Sequence, residues 1–244
     1  DYFCPTVSAI VQGELGLTDD ILCVDIPQAC AGYVVGLMQS FMLLEHMEGK
    51  KVLLCTGETF CRGNKEKQEP PYYRAPFGGD AANITIVENA GNEKVYYEFH
   101  QDGSQRKCLV IPDGAFRNPM TVEQIQNQIV RMPLTGVVMD GSTVFNFAQK
   151  EVPILVDSLT KMAETTKEDI DWFLFHQPNK FMLQKLAERI GVPFEKMPMD
   201  IVEKFGNSNS ATIPTAITAD LKEEMLNKES LCCLAGFGAG VAWA

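Results

Sequence analysis

The sequence predicts an α/β fold in which helices cover a parallel sheet, and three observations predict it. A short apolar run, Ile21–Ile26 (ILCVDI), leads into the helical stretch Ala29–Met47 and then a second apolar run, Lys51–Cys55 (KVLLC). Strand, helix and strand with short joints make a βαβ unit, which needs parallel strands and a helical cover. The later half repeats that order, with Asp171–His176 (DWFLFH) as a strand and Lys180–Ile190 as the helix after it. In both halves a reactive side-chain type stands at the turn between strand and helix, so the chain reads as two related halves.

The individual elements follow from spacing. Ile21–Ile26 is short and apolar throughout, which suits a buried strand. Beyond Pro27, Tyr33, Leu37, Phe41 and Leu44 fall at helical spacing, and Gly49 ends that helix before Lys51–Cys55. The stretch 63–76 (GNKEKQEPPYYRAP) is charged and proline-rich, so it predicts a surface loop. Ile84–Val87 and Val95–Phe99 predict strands, and Asp102–Thr135 is irregular with one short helix near Val122–Arg131. Thr143–Glu164 predicts a long amphipathic helix, interrupted or kinked near Pro153. After the second strand–helix pair come a helix over Ile213–Leu226 and a closing strand, Leu231–Trp243, broken by glycines. Three parts result: an N-terminal half over 1–97, a connecting segment over 98–140 and a C-terminal half over 141–244.

Composition narrows the class. The chain has 244 residues, 45% hydrophobic and 22% charged, enough for one large domain or two packed halves. No apolar run reaches about eighteen residues, so no membrane span is expected. The opening DYFCPTVSAI lacks the basic start and apolar core of a secretory signal, and it begins in mid-pattern, as a fragment would. Eight cysteines lie in apolar runs or as the pair Cys232–Cys233, without CxxC or His-flanked clusters. Reduced thiols in the cytoplasm fit that pattern better than disulfides or zinc. A formal net charge of −11 argues against nucleic acid as a partner.

Four short stretches could carry chemistry, and each also has a plain structural reading. Cys30 falls at the first turn of a predicted helix, where free N–H groups and the helix dipole favour an anion and lower a thiol pKa. Taken alone, it fits a small core residue at least as well. His176 ends a strand in HQPN, at the carboxyl edge where open parallel sheets bind ligands, while His46 and His100 read as surface or satisfied residues. Asn207, in GNSNSATIP, suits a helix cap as readily as a donor to substrate. GFGAG, Gly236–Gly240, is either a bend or a turn that brings backbone N–H groups to a developing oxyanion.

Together, ACAG, HQPN, GNSNSATIP and GFGAGVAW, in this order and spacing and with MDGSTVFNFAQKEVP before the long helix, are more specific. They resemble the β-ketoacyl-acyl carrier protein synthase III family of the thiolase superfamily over nearly the whole chain. The resemblance implies a thiolase-like αβαβα layered fold built of two related halves and incomplete at the N-terminus, because the family's N-terminal segment is missing. It implies a condensing acyltransferase that initiates fatty acid synthesis. Cys30 would take the acyl group of an acyl-CoA starter, and His176 and Asn207 would hold the malonyl thioester carbonyl as carbon dioxide leaves. The backbone N–H groups of Cys30 and Ala239 would form the oxyanion hole. Lys180, Arg74, Phe145 and Met139 become candidates for substrate or carrier contact, with Arg62 a further partner for CoA phosphates and Phe41 a further tunnel residue. The resemblance calls for no metal and no cofactor, with acyl-CoA and malonyl-acyl carrier protein as substrates. It also implies a homodimer, in which Phe3 resembles the residue that reaches into the partner's acyl pocket.

This chain departs from the family pattern in several places. Ala239 stands where glycine is common, Gly78 replaces an aromatic ahead of Asp80, and Lys180 is one place from the family's usual basic residue. An acidic carrier needs a local basic patch, for which Lys180, Lys185 and Arg189 lie at roughly helical spacing; a solvated helix face explains them equally. The alternative is a synthase III-like enzyme of a specialised pathway that loads starters or transfers acyl groups without condensation. HMG-CoA synthase and plant-type polyketide synthase fit HQPN and GNSNSATIP less well. A papain-like peptidase would need a CGSCW-like setting, which Cys30 lacks.

Overall fold

The computed structural model describes residues 4–59, 78–89, 91, 94–112, 115–119, 121–123 and 137–244. Helix α1, Val7–Glu14, is capped from outside: the N–H groups of Val7 and Ser8 donate to the Asp25 carboxylate at 2.7 and 2.9 Å. That use of Asp25 bears on the first departure from the sequence reading. Ile21–Ile26 is not a strand, and Leu22 and Val24 within it are exposed. An apolar run becomes a strand only when a neighbour completes its hydrogen-bond ladder, and among the described residues none does.

Helix α2, Gly32–Leu44, follows a 3₁₀ turn at Ala29–Ala31. It packs closely on strand β1, Lys51–Thr59, where a Cβ at Gly36 would lie 2.7 Å from Leu54 Cδ1. Strand β1 pairs with β2, Asp80–Glu88, with Lys51 opposite Glu88 and Thr59 opposite Asp80. This pair is antiparallel, so the expected parallel unit around α2 does not form among the described residues: its first run finds no partner strand there and its second takes a later strand as partner.

Three short strands follow: β3 at His100–Gln101, β4 at Leu109–Val110 and β5 at Val138–Met139, the last two paired antiparallel. Val95–Phe99 pairs with no strand among the described residues, the ladder beginning only at His100. The predicted loop over 63–76 lies outside the described residues, as does nearly all of the predicted helix over 122–131.

Helix α3, Gly141–Met162, is fastened at its start by Asp140, whose carboxylate accepts from the Thr143 N–H at 3.0 Å and from the Ser142 and Thr143 hydroxyls at 2.7 Å. The helix runs on through Pro153 without a break. A proline removes one ladder bond, but Val152, Leu155 and Val156 around it are fully buried and hold the axis in place. Strand β6, Trp172–Phe175, leads into α4, Lys180–Ile190, capped by Asn179 and ended by Gly191 in the left-handed region. Gln149 of α3 is buried and donates to the Met182 carbonyl of α4 at 3.2 Å, which keys the two helices together.

The short helix α5, Ile201–Phe205, precedes α6, Thr212–Asp220, and α7, Lys222–Asn227. The single helix predicted over Ile213–Leu226 is therefore two, joined at Leu221, which turns inward and is buried. Strand β7, Cys232–Ala235, pairs with β6 in parallel, Trp172 opposite Cys232 and Phe175 opposite Ala235. Strands β8, Phe237–Gly238, and β9, Ala242–Trp243, close the chain in a sheet of order β3-β9-β8. The largest core cluster lies between α3, α4 and the β6–β7 pair, and Phe173, Phe175, Leu183 and Leu186 are wholly buried within it. That core is the platform from which His176 projects.

Candidate active site

Cys30 sits in the 3₁₀ turn ahead of α2 and is 7% exposed. The residue before it, Ala29, has φ 43°, a left-handed conformation that costs an alanine about 1–2 kcal/mol. That strain turns the backbone so that the Cys30 side chain leaves the turn facing the glycine-rich segment. Gly238 comes so near that a Cβ there would lie 2.7 Å from both Cβ and Sγ of Cys30. A Cβ on Gly236 would likewise lie 2.8 Å from the Ala31 Cα. The backbone N–H groups of Ala239 and of Cys30 itself both donate toward the sulfur.

Position at a helix start predicts an acidified thiol, and the structure shows the opposite. Burial pushes Cys30 up to about 11, the Glu58 carboxylate adds to the rise, and the two N–H groups only partly oppose it. A buried site penalises the charged form of the thiol more than two donors can offset.

His176 stands directly after β6, its own N–H donating to the Ala235 carbonyl of β7 at 2.8 Å. The ring is 2% exposed and lies edge-on to Phe237, centroids 5.7 Å apart. Burial lowers its pKa to about 4, against the pull of the Asn209 backbone carbonyl, so the ring is neutral at pH 7. A neutral imidazole carries one N–H, and Thr212 decides where. Its Oγ1 lies 2.9 Å from Nδ1 and 2.8 Å from the Asn209 carbonyl, and it accepts the Gln177 N–H at 3.2 Å. The Thr212 hydroxyl donates to the Asn209 carbonyl, so its Oγ1 accepts from Nδ1–H; rotating that one hydroxyl proton onto Nδ1 moves the ring proton to Nε2, where a substrate can use it.

Asn207 lies in the turn between α5 and α6, where a Cβ on Gly206, at φ 73°, would strike the Gly78 carbonyl at 2.5 Å. The Asn207 carbonyl accepts the Gly79 N–H at 3.0 Å, and its Oδ1 accepts the N–H of Asn209 at 2.9 Å. The asparagine that meets the thiol is the second one of the motif. Cys30 Sγ donates to Asn209 Oδ1 at 3.4 Å, and Asn209 holds a left-handed φ of 45° that asparagine tolerates better than most residues. Asn209 thus links Cys30, His176 and Asn207, and Ala239 joins them through the Cys30 sulfur. Sequence reading passed over Asn209, Thr212 and Glu58. The repeated N-S-N of GNSNSATIP was the one available sign of the first, and the other two become visible only in space.

The outer candidates are more scattered. Lys180 is paired with Asp200 at 2.9 Å and Glu203 at 3.2 Å, so it is not the free cation that a carrier site was expected to offer. Lys185 is paired with Glu188 at 2.7 Å and lies 6.0 Å over the Phe181 ring, while Arg189 is exposed. Phe145 stacks on Phe181, centroids 5.9 Å apart. Met139, on the pair β4–β5, is 62% exposed. Phe41 lines an apolar cavity of about 320 Å³ with Leu37, Leu159 and Cys232, and none of Cys30, His176 or Asn207 borders it. Asp80 begins β2. Arg74, Arg62 and Phe3 lie outside the described residues. No group of three or more His, Cys, Asp or Glu among the described residues is arranged to hold a metal ion.

Residues 160–244 match the family described as 3-oxoacyl-acyl-carrier-protein (ACP) synthase III C terminal. Over 237 residues the chain is 31% identical to a β-ketoacyl-acyl-carrier-protein synthase III of Synechocystis sp., an overlap of 97% of this chain and 70% of that protein. A crystal structure of a 3-oxoacyl-(acyl-carrier-protein) synthase III superposes with a TM-score of 0.86 at 30% identity, covering 100% of this chain and 73% of the other. A 3-oxoacyl-(acyl-carrier-protein) synthase from Burkholderia xenovorans gives 0.84 at 31% identity, with 100% and 68% covered.

Proposed function

The chain belongs to the β-ketoacyl-acyl carrier protein synthase III family, with its thiolase-like α/β fold, and from that premise we propose that it is a condensing acyltransferase of fatty acid synthesis. The starter is an acyl-CoA, the extender is malonyl-acyl carrier protein and the product is a 3-oxoacyl-acyl carrier protein. The observation that carries this reading is the pair of backbone N–H groups, of Cys30 and Ala239, that converge on the buried sulfur. Donors fixed at that spot suit the oxyanion formed when a thioester carbonyl is attacked, and each such donor typically contributes about 2.7–4 kcal/mol.

In the first half-reaction, Cys30 Sγ forms a bond to the acyl carbon and the bond to the CoA sulfur breaks. The thiol proton departs on that sulfur as free CoA, so the step balances without an external base. In the second, the malonyl thioester loses carbon dioxide and its electron pair is delocalised onto the thioester oxygen. His176, neutral and turned to the Nε2–H tautomer by rotation of the Thr212 hydroxyl onto Nδ1, holds that oxygen together with Asn207. The carbanion attacks the acyl carbon, and Cys30 leaves and takes up one proton. Carbon–carbon bond formation is driven by loss of carbon dioxide, so the chemistry calls for no cofactor or metal. The acidic carrier would dock by a local basic patch centred on the exposed Arg189, since Lys180 and Lys185 are both occupied by carboxylates. Among the described residues no helix is long and apolar enough to cross a membrane. A cytoplasmic homodimer completes the reading.

Intact-mass spectrometry of the full-length protein tests it. Acetyl-CoA and longer acyl-CoAs should add one acyl mass that disappears on addition of malonyl-carrier, with release of a 3-oxoacyl-carrier. Cys30→Ala should take up none. Acyl-enzyme that forms but never condenses would favour the acyl-transfer alternative, and persistent acylation of Cys30→Ala would sink both.

A further inference from the structure

Glu58 occupies a half-buried position of β1 between the exposed Gly57 and Thr59. Its carboxylate accepts hydrogen bonds from the side chains of Asn209 and Ser210. Asn209 in turn accepts the Cys30 Sγ–H through Oδ1 at 3.4 Å. An asparagine amide has one accepting and one donating end, so if Oδ1 faces the thiol, Nδ2 is left to face the carboxylate. Glu58 thereby fixes which end of the amide meets the sulfur. The Asn209 backbone is equally committed: Asn207 Oδ1 takes its N–H at 2.9 Å and the Thr212 hydroxyl reaches its carbonyl at 2.8 Å.

We propose that Asn209 is a further catalytic residue and Glu58 its positioning residue, together holding the unloaded Cys30 as a neutral thiol whose proton points at Asn209 Oδ1 until an acyl donor arrives. This rests on Cys30 being the acyl carrier, as set out above. The physical case has two parts. A hydrogen bond accepted from S–H stabilises the protonated form, and a nearby carboxylate opposes a second negative charge. Both act in the direction in which burial already pushes this thiol. Glu58 itself, raised by burial, is drawn back toward its charged form by the two side-chain donors. The other titratable group of the site, His176, is kept neutral by burial, so among the described residues Glu58 is the charge whose field reaches the sulfur. The unloaded enzyme is therefore built to resist soft alkylating agents at neutral pH, and the thiol gives up its proton only when the departing CoA sulfur can take it.

The test is the pH profile of iodoacetamide alkylation of Cys30, read on its own peptide by mass spectrometry in the full-length protein. Glu58→Gln keeps the shape and the acceptor facing Asn209 while removing the charge. It should lower the alkylation midpoint by about one pH unit, roughly a tenfold gain in rate at pH 8. Asn209→Ala should shift the midpoint the same way. Introducing Glu58→Gln into Asn209→Ala should then add less than it does alone, because the two act in series. An unchanged profile in folded Glu58→Gln, or a Glu58→Gln effect equally large with and without Asn209, overturns the proposal. Acylation by acetyl-CoA, followed in the same samples, separates this from the condensing role: a shifted profile with no acylation in the parent would keep the relay and refute the condensing enzyme.

Discussion

Gly238→Ala is the sharpest test of the site's geometry. The added Cβ would lie 2.7 Å from both Sγ and Cβ of Cys30, whereas non-bonded heavy atoms prefer about 3.5–4.0 Å, so roughly 1 Å must be found. Relief comes either by lifting β8 from its pairing with β9 or by swinging the thiol off the Ala239 N–H and Asn209. Overpacking of this kind costs about 1–3 kcal/mol, seen as a lower urea midpoint at constant slope. Whichever route relieves it, the sulfur and its donors no longer meet, and acyl-enzyme formation should fall by about 10²-fold, the loss expected for one oxyanion donor. Gly13→Ala in α1 is the control: nothing lies within 4 Å of its new Cβ, and removing a helical glycine should stabilise by about 0.5–1 kcal/mol. Parent-like melting together with parent-like acylation in Gly238→Ala would refute the close approach of the closing strands to the nucleophile.

Three further outcomes follow from the same geometry. Folding lowers His176 from 6.5 to about 4, so between those values the unfolded chain binds a proton that the folded chain refuses. Stability should therefore be full above about pH 6.5 and decline toward pH 4 by roughly 3 kcal/mol, and His176→Gln should flatten that part of the urea-midpoint profile. Thr212→Val removes the hydroxyl that faces Nδ1 and should slow decarboxylation of malonyl-carrier about tenfold while leaving acylation nearly intact; Thr212→Ser should restore it. Phe173→Ala, in the fully buried platform under His176, should cost about 3–5 kcal/mol by chemical denaturation, far more than any change at the exposed Phe181.

Local chemistry was legible in the sequence where the residues to be satisfied were neighbours. Helix Lys180–Ile190 has the predicted bounds, because Asn179 and Gly191 sit where a cap and a left-handed stop belong. The long helix was legible to within two residues at each end, though Pro153 does not break it, since burial on either side outweighs one lost ladder bond. What local pattern could not show was pairing. Ile21–Ile26 and Val95–Phe99 have strand composition and no partner strand among the described residues, and β1 takes an antiparallel neighbour because its partner is chosen by tertiary contact. At the site, motif order identified Cys30, His176, Asn207 and Ala239 as a group. The thiol's acidity was misjudged because helix position is local and burial is not. Asn209, Thr212 and Glu58 were invisible for the same reason: each acts across a gap in sequence that only the fold closes.

The Cys30–Asn209 contact joins residues 179 positions apart. At a synthesis rate of about 5–20 residues per second, the ribosome needs roughly 10–40 s to make the second residue after the first. Throughout that interval the thiol is an ordinary exposed cysteine, with a lower pKa and no guard. Slow alkylation, as the Glu58–Asn209 proposal predicts it, would be acquired on folding, and its loss would mark any molecule whose two halves have come apart. Cys30 labelling thus doubles as a natural gauge of conformational integrity, readable on the native sequence in a crude extract without any introduced probe.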